Sequence, residues 1–78
     1  MRNRKGADFV KEKVLDCKGK CVCFADGETG LVERREGNTM EMFFVPVGGN
    51  CRMQKGSTIT ILTRISASEF ITDSFEAA

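Results

Sequence analysis

Met42-Phe43-Phe44-Val45-Pro46-Val47 ends at Gly48-Gly49-Asn50, and Gln54-Lys55-Gly56-Ser57 leads into Thr58-Ile59-Thr60-Ile61-Leu62; these two stretches decide the fold. The first is an apolar run rich in aromatic and β-branched residues and bounded by turn formers, the composition of a strand. The second alternates with a period of two. That sets Ile59 and Ile61 on one face of a sheet and Thr58, Thr60 and Leu62 on the other. The same alternation assigns Phe43, Val45 and Val47 to the core, and Met42, Phe44 and Pro46 to the outer surface of that sheet.

Outward from there, further strands follow at intervals of roughly a dozen residues. Residues 20–24 read as a strand with Cys21 and Cys23 on one face, closed by the Asp26-Gly27 turn signal. Residues 31–34 return, and Glu36-Gly37-Asn38 makes the next turn. Phe70-Ile71-Thr72 supplies a short last strand, with 74–78 as a C-terminal tail. Five strands joined mostly by glycine turns predict an all-β domain, a small five-stranded OB-like or SH3-like barrel over residues 8–73. Ahead of it, residues 1–7 are charged, short of apolar anchors and expected to be disordered. For 8–16, Phe9, Val10, Val14 and Leu15 suit the apolar edge of a short helix among the helix formers Lys11, Glu12 and Lys13.

Seventy-eight residues, 41% of them hydrophobic, make one domain. A chain of this size buries only about 60–65% of its unfolded surface, so its core is thin. The net charge of +1 excludes a protein that coats nucleic acid by bulk charge. The absence of histidine excludes His-based acid–base catalysis and mixed Cys/His metal sites. Glu28, Glu33, Glu36 and Glu41 are scattered among turns and strand ends, where a general base finds neither burial nor a partner. Cys17 or Cys51 as a nucleophile lacks an activating base. The chain is read as no enzyme, with no cofactor. No run reaches the roughly 18 apolar residues of a membrane helix, and no apolar stretch follows the charged start as in a secretory signal. A cytoplasmic protein without membrane contact is expected.

Cys17, Cys21, Cys23 and Cys51 allow three readings. Two disulfides would reinforce a small core, but suit an oxidising compartment. A four-thiolate zinc site has the right number of ligands, although Cys51 stands apart and Cys21-Val22-Cys23 lies in a strand. Free cysteine as a small buried hydrophobe suits Cys21 and Cys23 best.

The order of pieces resembles a cold-shock-like OB-fold domain over residues 19 to about 71. Gly19-Lys20-Cys21-Val22-Cys23-Phe24, Thr29-Gly30-Leu31-Val32-Glu33, Phe43-Phe44-Val45-Pro46 and Met53-Gln54-Lys55-Gly56-Ser57-Thr58-Ile59-Thr60-Ile61 carry it. The resemblance implies a face on which single-stranded bases stack. Cys23 stands where that family has its tryptophan, Leu31 near an aromatic position and Pro46 at its histidine. Phe24 and Phe44 remain as stackers, each such contact contributing about 1–3 kcal/mol.

Two functions follow. One is a module for single-stranded RNA or DNA, with Phe24 and Phe44 stacking and Lys20, Arg34, Arg35, Arg2, Arg4 and Lys5 meeting phosphates. The other is a protein-interaction or assembly module that uses the Met42 to Pro46 strip or an open strand edge to join a partner or, as a homo-oligomer, itself.

Overall fold

In a computed structural model, which describes residues 11–77, the chain is all-β. Its strands are β1 (Glu12–Leu15), β2 (Cys21–Asp26), β3 (Leu31–Glu36), β4 (Thr39–Phe44), β5 (Asn50–Lys55), β6 (Thr58–Ser66) and β7 (Glu69–Glu76). They form two antiparallel meanders, β1-β2-β3-β4 and β5-β6-β7. The fold is thus all-β as expected, but it has seven strands in two sheets and no closed barrel.

Period-two patterning explains the layering. Val14, Cys23, Ala25 and Val32 point inward from the first sheet and Met53 and Leu62 from the second. Val45, in the β4–β5 link, completes this buried cluster, with Val22, Phe43, Cys51 and Phe70 packed at its margins. The inward face of β6 is the threonine face. Thr58, Thr60, Leu62 and Arg64 are buried there; on the opposite face Ile59 is buried too, Ile61 is half-buried and Ile65 is exposed. The buried hydroxyls are satisfied, as burial requires: Thr58 Oγ1 donates to Glu76 Oε2 at 2.6 Å, and Thr60 Oγ1 lies 3.1 Å from Ser74 Oγ.

Four local expectations are corrected. Residues 12–15 are strand rather than helix, pairing Val14 with Cys23. Helix propensity is a weak prior, and burying Val14 in the core overrides it; residues 8–10 lie outside the described part. Val47 is not core but 55% exposed. Gly49 N donates to Pro46 O at 2.8 Å and Gly48 has φ 88°, a type II turn with Val47 at its outer corner. Finally, β5 was hidden by its polar outward residues Arg52 and Gln54, although Cys51 and Met53 alternate inward. The last strand, moreover, runs through Glu76 rather than ending at Thr72.

Two joints hold the sheets together. At one end Arg64, 6% exposed, reaches from β6 across to the first sheet. Its Nη1 donates to Val45 O at 3.2 Å, and its Nη2 lies 3.1–3.2 Å from the carbonyls of Gly27, Glu28 and Ala67. Nη2 has two hydrogens for three carbonyls, so one bond is shared. Gly30, with φ 79°, makes room for this guanidinium: a Cβ there would sit 2.4 Å from Arg64 Nη1 and 2.7 Å from Val45 O. At the other joint the β1–β2 turn rests on β7. Cys17 N donates to Ser74 Oγ at 2.9 Å and Lys18 Nζ lies 3.4 Å from Glu76 Oε2. Asp16 shapes that turn by accepting the backbone N–H groups of Lys18 and Lys20, both at 2.9 Å.

Candidate functional site

The outer face of the first sheet gathers most of the residues singled out in the sequence. Register places Phe24 opposite Glu33, Glu33 opposite Met42, Leu31 opposite Phe44, and Arg35 opposite Met40. With β-strand alternation, Phe24, Leu31, Glu33, Arg35, Met40, Met42 and Phe44 therefore share one surface. Met40, Met42 and Phe44 are 48%, 57% and 58% exposed, large values for side chains of this size. Phe24, Leu31 and Met42 line a shallow hollow of about 80 Å³ with Lys11, Asp26 and Glu33. Lys11 Nζ holds Glu33 at 3.0 Å, neutralising the carboxylate in the middle of the face.

Two residues expected beside the strip lie elsewhere. Arg34 is on the opposite face of β3, paired in register with Glu41. Its Nη2 binds Glu41 at 2.9 Å and Glu36 at 3.4 Å, because alternation sends neighbours Arg34 and Arg35 to opposite sides. Lys20 lies in the β1–β2 turn, at the far end of β2 from the row that holds Leu31 and Phe44. Pro46 is exposed, but in the link beyond β4. Arg2, Arg4 and Lys5 lie outside the described residues. Phe24 and Phe44 both face outward, and the Phe44 ring centroid is 5.9 Å from Arg64 Cζ, the outer range of a cation–π contact.

The edge of β4 is the feature that sequence reading noticed only in general terms. β4 pairs with β3 on one side, and no described strand pairs with its other side. Val45 N donates to Gly30 O at 2.8 Å, continuing the β3–β4 ladder. Antiparallel ladders alternate bonded and non-bonded pairs. Thr39, Glu41 and Phe43 therefore turn their backbone groups toward β3, whereas Met40, Met42 and Phe44 turn theirs off the sheet. The three residues of β4 whose backbone groups pair with no described strand are the three with exposed apolar side chains. Continuing the alternation backward from Phe44 past Met42 to Met40 would have found the row; its position at an edge needed the topology.

The cysteines form no such site. All four are free thiols. Among the described residues no three Cys, Asp or Glu side chains gather as a metal site. Burial pushes the Cys23 thiol up to about 12, with Cys51 and Cys21 nearby adding to the effect, and burial also raises Cys51. Neither is a thiolate at neutral pH, so neither is a ready nucleophile. No described helix is long and apolar enough to cross a membrane. Compared with protein-family models, with the curated proteins and with the solved structures, the chain matches none.

Proposed function

We propose that this domain is a protein-interaction module that accepts an extended segment as an added strand along β4. The observation that carries the reading is the coincidence on Met40, Met42 and Phe44 of outward backbone groups and exposed apolar side chains. Strand addition takes its affinity from main-chain hydrogen bonds and its specificity from alternate side chains. Methionine suits such a surface, since its unbranched, polarisable side chain adapts to different partners. Arg35 and Lys13 at the margin supply a charged rim.

A second reading, single-stranded nucleic acid, is favoured by Phe24 and Phe44 sharing the outward face. Two stackers with Lys13 and Arg35 would form a small platform, Lys11 being paired with Glu33. The diversion of Arg34 to Glu36 and Glu41, and the position of Glu33 at the centre, make it the weaker one.

Selection of displayed peptides against the full chain tests the first reading. Selected extended, apolar peptides are expected to slow amide exchange at Met40, Met42 and Phe44, and to bind undiminished as salt is raised. Peptides that protect other segments would sink it. So would tight binding of a labelled mixed-sequence RNA or DNA strand that weakens steeply between roughly 50 and 200 mM salt, the mark of phosphate-led binding.

A further inference from the structure

We infer that the strand accepted by β4 is β4 of a second copy of this chain, paired antiparallel about a two-fold axis through Met42. The inference rests on the strand-addition reading and names its occupant.

Exposed sheet edges are normally blunted by charge, bulges or covering segments, and three of the four described edges follow that rule. β1 has four residues, two of them Glu12 and Lys13, and a register shift between Val14 and Leu15. On β5, Arg64 N bonds Gly49 O, so by alternation Asn50, Arg52 and Gln54 turn their backbone outward, all with polar side chains. On β7, Ala77 N bonds Ser57 O, so the outward backbone belongs to Phe70, Thr72, Ser74 and Glu76. There the β1–β2 turn lies across Ser74 and Glu76 through Cys17 and Lys18. Leu15 of β1 is one exposed apolar side chain on an outward backbone, but only on β4 do three such residues stand in a row, Met40, Met42 and Phe44.

Charge and register select the self-pairing. Antiparallel contact must bring the outward-turned residues Met40, Met42 and Phe44 against one another, and three registers do so. Centring on Glu41 sets two carboxylates directly opposite, which is unfavourable. Centring on Phe43 sets Met40 against Pro46, which has no N–H to give. Centring on Met42 sets Met42 against its copy and Met40 against Phe44 twice, and each facing pair exchanges both backbone hydrogen bonds. The exposed side of this seam is then methionine on methionine and methionine on phenylalanine, a favourable sulfur–aromatic pairing. On the other side Glu41 meets Phe43, and each Glu41 stays on its own Arg34 at 2.9 Å, so no unpaired charge enters the seam. The product is one continuous sheet with four strands from each copy.

The Gly37-Asn38 turn and Pro46 limit the seam to one short strand. That falls below the roughly 1,200 Å² of a stable interface, so the dimer is transient and concentration-dependent. Sedimentation velocity on the full chain from about 5 µM to about 1 mM reads it as an apparent mass rising toward twice the monomer's. Met42→Lys places two ammonium groups at the axis and is expected to raise the half-dimer concentration at least about tenfold. Because Met42 is exposed, circular dichroism and the thermal midpoint at low concentration should not change. Met40→Lys and Phe44→Glu should each weaken the dimer, whereas the two together in one chain should restore it through opposed charges, which only the Met42-centred register brings face to face. A chain that stays monomeric to about 1 mM while selected peptides still protect the β4 amides overturns the self-pairing and leaves strand addition standing. A dimer indifferent to Met42→Lys also overturns it. If neither peptides nor concentration protect Met40, Met42 and Phe44, both readings fall together.

Discussion

The two joints between the sheets are built from opposite chemistry. Arg64 is buried and its side-chain hydrogen bonds run only to neutral carbonyls, those of Gly27, Glu28, Val45 and Ala67. The β1–β2 turn meets β7 at the surface through a hydroxyl and an ion pair, Cys17 to Ser74 and Lys18 to Glu76. A buried guanidinium is costly to desolvate; here both terminal nitrogens find acceptors, and only Nε is left without one. Its position is therefore fixed by the path of three separate chain segments. The surface joint asks for little and, being screened by water and salt, gives little. One joint sets the relative placement of the sheets; the other steadies a hairpin.

The largest effect should come from breaking the buried joint. Arg64→Met keeps most of the volume but deprives four carbonyls of a donor, and a buried group left without its partner costs about 1–3 kcal/mol. Some carbonyls will recover water, so we expect a loss of about 3 kcal/mol or more in urea unfolding. A domain of this size has roughly 4–12 kcal/mol in all. A loss below about 1 kcal/mol would mean that the guanidinium is no more than a surface group, contrary to its burial.

A smaller effect should sharpen the same point from the other side of the contact. Gly30→Ala adds one methyl group at φ 79°, aimed at Val45 O and Arg64 Nη1. The guanidinium can shift but the carbonyl cannot easily, and holding an L residue in this conformation adds to the strain. The expected loss is about 1–3 kcal/mol. If the clash acts through Arg64, combining Gly30→Ala with Arg64→Met should lose less than the sum of the two, and strict additivity would show the sites to be independent.

Strand composition and period-two alternation were legible in the chain: β2, β3 and β6 follow from them, as does the outward turn of Phe24, Met42 and Phe44, but β4 was read too late, from Met42 to Val47 instead of Thr39–Phe44. What the sequence hid was long-range. Arg64 shares its parity with Thr60 and Leu62, so alternation alone puts it inside, yet nothing local announces the carbonyls that make an inward arginine tolerable. Arg34 and Arg35 look equivalent until register gives one to Glu41 and the other to the outer face. The barrel expectation failed at Pro46 to Gly49, where a turn bonded to Arg64 carries the chain from one sheet to the next instead of closing a single one. The open edge of β4 is a property of strand order, and strand order is not local.

The smallest effect distinguishes the joints by pH. The backbone N–H of Lys20, with help from that of Lys18, holds the Asp16 carboxyl below its ordinary 3.8. The hydroxyls of Thr58 and Ser57, with Lys18, hold Glu76 below its ordinary 4.5. A carboxyl whose pKa is lower in the folded state contributes stability above its unfolded value and loses it as pH falls through the folded one. The surface joint should thus weaken on acidification below these ordinary values, while the partners of Arg64 are backbone carbonyls and include no carboxyl. Asp16→Asn combined with Glu76→Gln keeps acceptors in place and removes the charges. Its urea midpoint should lie below that of the wild type near neutrality and converge with it as the pH falls through the lowered folded-state values, whereas Arg64→Met should run parallel to the wild type across that window. Curves for the carboxyl variant that stay parallel would place the acid sensitivity elsewhere, and curves for Arg64→Met that converge would mean that its buried joint depends on a carboxylate after all.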